Sequence, residues 1–160
     1  MAAFGLLYDR YYCLAVGIAY SRLSDRHLTE DAAQEAFVVA YRTLATLQDR
    51  ERFPQWLGTI CRRTASRLAL ARTGSQPLPE NLQPASDVTR EQLRLDVREA
   101  LEHLDELSRE IVLLHYFSGL TYEEISRVLE LTPQAIHGRL QRARRKLAEV
   151  LDPAPTSGEL

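Results

Sequence analysis

Residues 120–147 read LTYEEISRVLELTPQAIHGRLQRARRKL, and this stretch decides the fold. Tyr122, Ile125, Val128 and Leu129 lie three, three and one apart, which sets one apolar stripe on a short helix. Glu130-Leu131-Thr132 interrupts the stripe. Thr132 is a good N-cap, and Pro133 suits the first helical position, where its missing N–H costs nothing. Ile136, Leu140, Ala143, Leu147 and Val150 then recur alternately four and three apart, a seam for one core-facing side. The other positions carry Gln134, His137, Arg139, Gln141, Arg142, Arg144, Arg145 and Lys146. Two short helices and a tight turn, with Gln, His and Arg outward on the second, make a helix-turn-helix suited to a major groove.

A basic helix face also arises by plain solvation, in which case the signs mix. Here they separate. Gln134 to Leu147 holds five cations and no acid, whereas Asp96 to Glu130 holds nine acids and three arginines. A basic stripe on a recognition-type helix is an electrostatic footprint for DNA.

The chain of 160 residues is long enough for one medium domain or two small ones. Its net charge of −2 excludes a generic polyanion binder. Residues 1–72 nevertheless sum to +3 and residues 93–150 to −1, so the basic surface is local. Weak binding to stray DNA suits a protein that a partner delivers. Cys13 and Cys61 are far apart, and the four histidines (His27, His103, His115, His137) lack ligand spacing, so no metal and no cofactor is expected. Neither a secretory signal nor a membrane-length apolar run is visible, which predicts a cytoplasmic protein with reduced thiols.

The periodicity predicts an all-α fold of two small helical domains joined by a flexible linker. Residues 1–72 form the first domain. Phe4, Leu7, Tyr8, Tyr11 and Tyr12 open one helix, Thr29 is placed to cap a second, and Phe53-Pro54 starts a third that runs to about Ala71. Residues 73–92, with three prolines, one glycine and no aromatic residue, read as the linker. The second domain spans 93–151, with Leu93, Val97, Leu101 and Leu104 as one stripe and Ile111, Leu114, His115 and Phe117 as another. Residues 152–160 read as a disordered tail.

Two sets of motifs in this order resemble the sigma-70 family of RNA polymerase sigma factors, in its minimal extracytoplasmic-function (ECF) group. The carboxy-terminal set is Leu107-Ser108-Arg109-Glu110-Ile111, then His115-Tyr116-Phe117-Ser118-Gly119-Leu120-Thr121-Tyr122-Glu123-Glu124-Ile125, then Arg139-Leu140, Arg142-Ala143-Arg144 and Leu147. The amino-terminal set is Asp31-Ala32-Ala33-Gln34-Glu35-Ala36-Phe37, followed by Phe53, Trp56-Leu57 and Ile60. The resemblance implies a region 2-like first domain and a region 4-like second one. It implies docking of Asp31, Gln34 and Glu35 on the β′ clamp helices of core RNA polymerase, with a further contact to the β flap. The spacing fits such a patch, because Asp31 and Glu35 lie one helical turn apart.

The resemblance further implies −10 contacts from Arg50, Arg52, Arg62, Arg63 and Arg67, and −35 contacts from Gln134, His137, Gly138, Arg139, Gln141, Arg142, Arg144, Arg145 and Lys146. Gln141 suits adenine and Arg142 guanine, while Arg139, Arg144, Arg145 and Lys146, like Arg50 and Arg52, suit phosphates. Trp56 suits either a stacking platform or the core. An anti-sigma partner is a common feature of the group. The chain departs from the family at Thr64 and Leu68 on the third helix, at Asp105 in place of a frequent Pro, at Glu130 in place of the turn Gly, and at His137-Gly138. A stand-alone helix-turn-helix regulator, needing no polymerase, is the second reading. Catalysis is not expected, since no second carboxylate cluster joins Asp31 and Glu35 and no nucleophile–base set or phosphate-cradling loop is present.

Overall fold

The computed structural model describes residues 2–72 and 88–152, and among these it is wholly helical with no strand. Helix α1 (Ala2–Leu23) ends where Ser24 takes a left-handed φ of 48°. Helix α2 (Arg26–Thr43) begins three residues before Thr29. Asp25 caps it, accepting from the Leu28 N–H at 2.9 Å. Thr29 therefore sits inside the helix and is buried, not at the cap as its residue type suggested. A carboxylate in extended backbone satisfies the first free N–H groups as well as a hydroxyl does, and Asp25 comes first along the chain. Short 3-10 turns at Leu44–Thr46 and Arg50–Arg52 lead into α3 (Phe53–Arg72). Four alanines of α2 (Ala32, Ala33, Ala36, Ala40) have no exposed surface, so α2 lies close against its neighbours.

Helix α4 (Val88–Glu102) starts five residues ahead of the boundary expected near Leu93. The rest of the expected linker, 73–87, and residues 153–160 of the expected tail lie outside the described residues. Helix α5 (Glu106–Val112) is capped by Asp105, which accepts from the Ser108 N–H at 3.0 Å. This gives the departure at Asp105 a structural role. The cap hydrogen bonds with Ser108 hold the Asp105 carboxyl below its ordinary pKa. A depressed carboxylate stabilises the fold above the usual carboxylate range and loses that contribution as pH falls through its folded-state pKa. Asp105→Ala should cost about 0.5–2 kcal/mol through the lost cap. Urea unfolding at pH 7 and pH 3 checks this, and a penalty that does not shrink at the lower pH contradicts it.

From α5 the chain widens into a π-helical turn, Leu113–Phe117, where the Ser118 N–H reaches back to the Leu113 carbonyl at 3.0 Å. The expected stripe fails here, because Phe117 is 56% exposed. A wider turn advances less per residue, so the apolar phase slips and Phe117 rotates outward. Gly119, at φ 71°, closes the segment. Helix α6 (Tyr122–Leu129) opens with a reciprocal capping box between Thr121 and Glu124. It ends on Glu130 in the left-handed region, at φ 55°. Helix α7 (Pro133–Leu151) has Thr132 at its cap and Pro133 at its start, as the sequence predicts.

The two helical units pack on each other. Leu14, Ile18, Leu57 and Cys61 of the first belong to one apolar core with Ile111, Leu114, Ile125 and Val128 of the second. Gly17 permits this approach, since a β-carbon there would lie 2.8 Å from Ser118 Oγ; one on Gly58 would make ordinary contact with Val128 Cγ1 at 3.4 Å. Burial of these apolar faces drives the packing.

Candidate nucleic-acid interface

The α7 seam is as read: Ile136, Leu140 and Ala143 are buried, while Gln134, His137, Gln141, Arg142, Arg144, Arg145 and Lys146 are exposed. The helix-turn-helix core therefore aims a polar, cationic face outward. His137 stacks on Tyr122 with ring centroids 5.6 Å apart, which limits its rotamers. Gly138 is half-buried, and a β-carbon there would meet nothing nearer than Arg142 Nη1 at 3.5 Å. No packing requirement accounts for a glycine in mid-helix. Arg139 differs from its neighbours. Its Nη1 lies 3.5 Å from both Asp105 Oδ1 and Ser108 Oγ, so it holds the start of α5 as well as facing α7's outer side.

On the first unit, Asp31 and Gln34 are exposed on α2. Glu35 is turned toward α3, where its carboxylate pairs with Arg67. The five arginines expected at the −10 element do not stand alike. Arg50 and Arg63 are exposed with no ion pair among the described residues. Arg52 Nη2 lies 3.3 Å from Glu130 of the second unit and donates through Nε to Gln55 at 3.1 Å. Arg62 is engaged most fully, donating to Glu110 Oε1 from Nη2 at 2.6 Å and from Nε at 3.0 Å. Trp56 is half-buried beside Phe53, with centroids 5.9 Å apart, and packs on the core.

Residues that the sequence did not single out organise the junction. Glu110 is 1% exposed, and its Oε2 accepts from Arg22 Nη1 at 2.9 Å while Oε1 takes Arg62. Arg22 also reaches Glu106 at 2.5 Å. Arg109 donates to the carbonyls of Leu101 at 2.9 Å, Leu104 at 3.0 Å and Ser21 at 3.0 Å. It thereby ties the carboxy-terminal ends of α1 and α4, where unpaired carbonyls favour a cation. Ser118 Oγ donates to the Cys13 carbonyl at 2.8 Å. A cavity of about 370 Å³ lies along this junction, lined by Arg22, Gln55, Arg62, Glu106, Glu110 and Glu130 among others. Arg109 and Glu110 fall inside a quoted motif, but no local pattern couples them to Arg22 and Arg62. Burial raises the Cys61 thiol to about 12, so it is no nucleophile at neutral pH. No group of His, Cys, Asp and Glu among the described residues could hold a metal ion, and no described helix is long and apolar enough to cross a membrane.

Taken together, these features define an all-α DNA-binding protein in which a helix-turn-helix unit leans on a three-helix bundle. Residues 7–74 match sigma-70 region 2, and residues 94–147 match sigma-70 region 4. The chain is 28% identical over 168 residues to the RNA polymerase sigma-H factor of Pseudomonas aeruginosa, covering 94% of this chain and 87% of that one. It is 30% identical over 161 residues to the ECF RNA polymerase sigma factor SigK of Mycobacterium ulcerans, covering 94% and 86%. CnrH, solved in complex with the cytosolic domain of CnrY, superposes with a TM-score of 0.69 at 30% identity over 94% of this chain and 88% of that one. The sigma factor RpoE of Bartonella quintana, solved with the anti-sigma factor NepR, shares the fold with a TM-score of 0.65 at 23% identity, covering 96% and 99%. The chain belongs to the sigma-70 family and is an RNA polymerase sigma factor of the ECF group.

Proposed function

We propose that Asp31, Gln34 and Glu35 dock core RNA polymerase through its β′ clamp helices, and that the second unit adds the β flap. Arg50, Arg52, Arg62, Arg63 and Arg67 then hold the −10 strand. Gln134, His137, Gly138, Gln141 and Arg142 read the −35 duplex, with Arg139, Arg144, Arg145 and Lys146 on its phosphates. The units act from residues 1–72 and from 93–151, and tethering makes the second contact effectively intramolecular. The protein works in the cytoplasm, itself catalyses nothing, and is held by an anti-sigma partner, as CnrH and RpoE are bound by CnrY and NepR.

One observation carries this reading. Two polar outward surfaces lie on the two units, Asp31 and Gln34 on α2 and the cationic face of α7. A stand-alone regulator needs only the second. Run-off transcription with core polymerase tests the difference. Asp31→Lys should lower promoter-specific transcripts at least about tenfold, as expected for a like charge set in a complementary interface. Duplex binding by α7 should stay unchanged. Transcription that survives the reversal intact favours the regulator.

A further inference from the structure

We propose that the second unit carries its own substitute for DNA phosphate: Glu110 and Glu130 occupy Arg62 and Arg52 when the units are packed together, and the −10 strand must displace them. The proposal rests on the reading of Arg52 and Arg62 as strand-holding residues.

The geometry at Glu110 supports it. A phosphate oxygen binds a guanidinium through paired N–H donors, and the Glu110 carboxylate takes two donors of Arg62, at 2.6 and 3.0 Å. Its other oxygen takes Arg22 at 2.9 Å, so the carboxylate is shared between two cations of the first unit. At 1% exposure it is withdrawn from water. A buried charge of this kind is tolerated only while it is paired. Separation of the units would return Glu110 to solvent, so losing its arginines to DNA would not strand it, at the cost of exposing the apolar faces the units share.

Glu130 supplies a second, independent observation. It stands at φ 55°, a left-handed conformation that suits glycine and strains residues bearing a β-carbon. Nothing within α6 or α7 pairs with its carboxylate. The partner is Arg52 of the first unit, at 3.3 Å. A residue unfavourable for its own turn thus puts a negative charge on a cation of the neighbouring unit. Glu110 and Glu130 both line the cavity between the units, together with Arg22 and Arg62. The contact is therefore competitive in the plain sense: carboxylate in cis against phosphate in trans, for the same two arginines.

A reversible lock tests this in the full chain. A β-carbon at position 17 would lie 2.8 Å from Ser118 Oγ, close to the roughly 3 Å between one β-carbon of a disulfide and the sulfur across the bond. Gly17→Cys with Ser118→Cys, in a Cys13→Ser background, gives a protein locked when oxidised and free when reduced. The probe is a fluorescent 20-nucleotide single strand of mixed sequence, read by anisotropy in about 100 mM NaCl. Oxidation should weaken binding at least about tenfold, and reduction should restore it, as competition for phosphate contacts requires. In the wild-type background, Glu110→Gln with Glu130→Gly should tighten binding about fivefold, because the competing charges are gone. Glu130→Gly also relieves the strained turn, so tighter binding there is not a consequence of unfolding. Equal affinity in the oxidised and reduced states, or no gain from the glutamate variants, overturns the proposal. If Arg52→Ala with Arg62→Ala leaves binding of the reduced protein unchanged, the reading of these arginines fails, and the proposal with it. Run-off transcription by the reduced protein separates either failure from loss of sigma activity itself.

Discussion

Arg142→Ala is expected to weaken binding to a −35 duplex by about 1–3 kcal/mol, roughly 5- to 150-fold. Arg142 is exposed on α7, one turn beyond Gly138, and the buried seam of Ile136, Leu140 and Ala143 fixes the direction in which that face points. On the proposed −35 reading, a guanidinium there would make a bidentate contact to the two acceptors of guanine, and alanine would leave both unpaired. The loss should be selective. Discrimination at one base pair should relax while the other positions keep theirs. Lys146→Ala provides the contrast, weakening all sequences alike and lowering the salt slope by about one. Duplexes selected by the polymerase complex, titrated at two salt concentrations, give both readouts. A uniform loss for Arg142→Ala would assign it to phosphate and move base readout to Gln141 or His137.

Leu140→Ala should cost about 2–5 kcal/mol of stability. Leu140 is 2% exposed at the centre of the α7 seam and belongs to the core shared by both units. The truncation removes apolar contacts from a helix that has few others, and small domains have only about 5–15 kcal/mol in total. Urea denaturation followed by circular dichroism measures the cost. Duplex binding should fail in parallel, through loss of α7's footing and not of any DNA contact. Arg145→Ala, on the exposed face, should change stability by no more than about 0.5 kcal/mol. Equal costs for the two variants would mean that the seam does not hold α7 in place.

Most of the helix-turn-helix was legible in sequence because its determinants are local. Thr132 and Pro133 begin α7, the alternation of four and three residues fixes its buried side, and five cations with no acid among them mark its outer one. Thr29 illustrates the limit of such reading. Two nearby residues can each cap a helix, and the choice of Asp25 depends on where the preceding helix stops, at Ser24. Phe117 illustrates another. The apolar stripe assumes one turn width, and the π-helical turn from Leu113 changes it. The placement of Arg62 was beyond reach for a stronger reason. Its partner Glu110 lies 48 residues away, and Arg22 lies 88 residues from the same carboxylate, with the 73–92 segment between. The resemblance made Arg62 a −10 contact, and only packing revealed a carboxylate already on it.

The amino-acid sequence by itself determined most of the helical segments, the buried seam of α7, and where acid and base are concentrated, since caps, periodicity and charge all act within a few residues. Tertiary structure alone decided that the two units share a core beside Gly17, and that Glu110 and Glu130 cover arginines of the opposite unit. Those contacts depend on the burial of two complementary apolar faces, a property of surfaces brought together from distant parts of the chain and not of any one stretch of it.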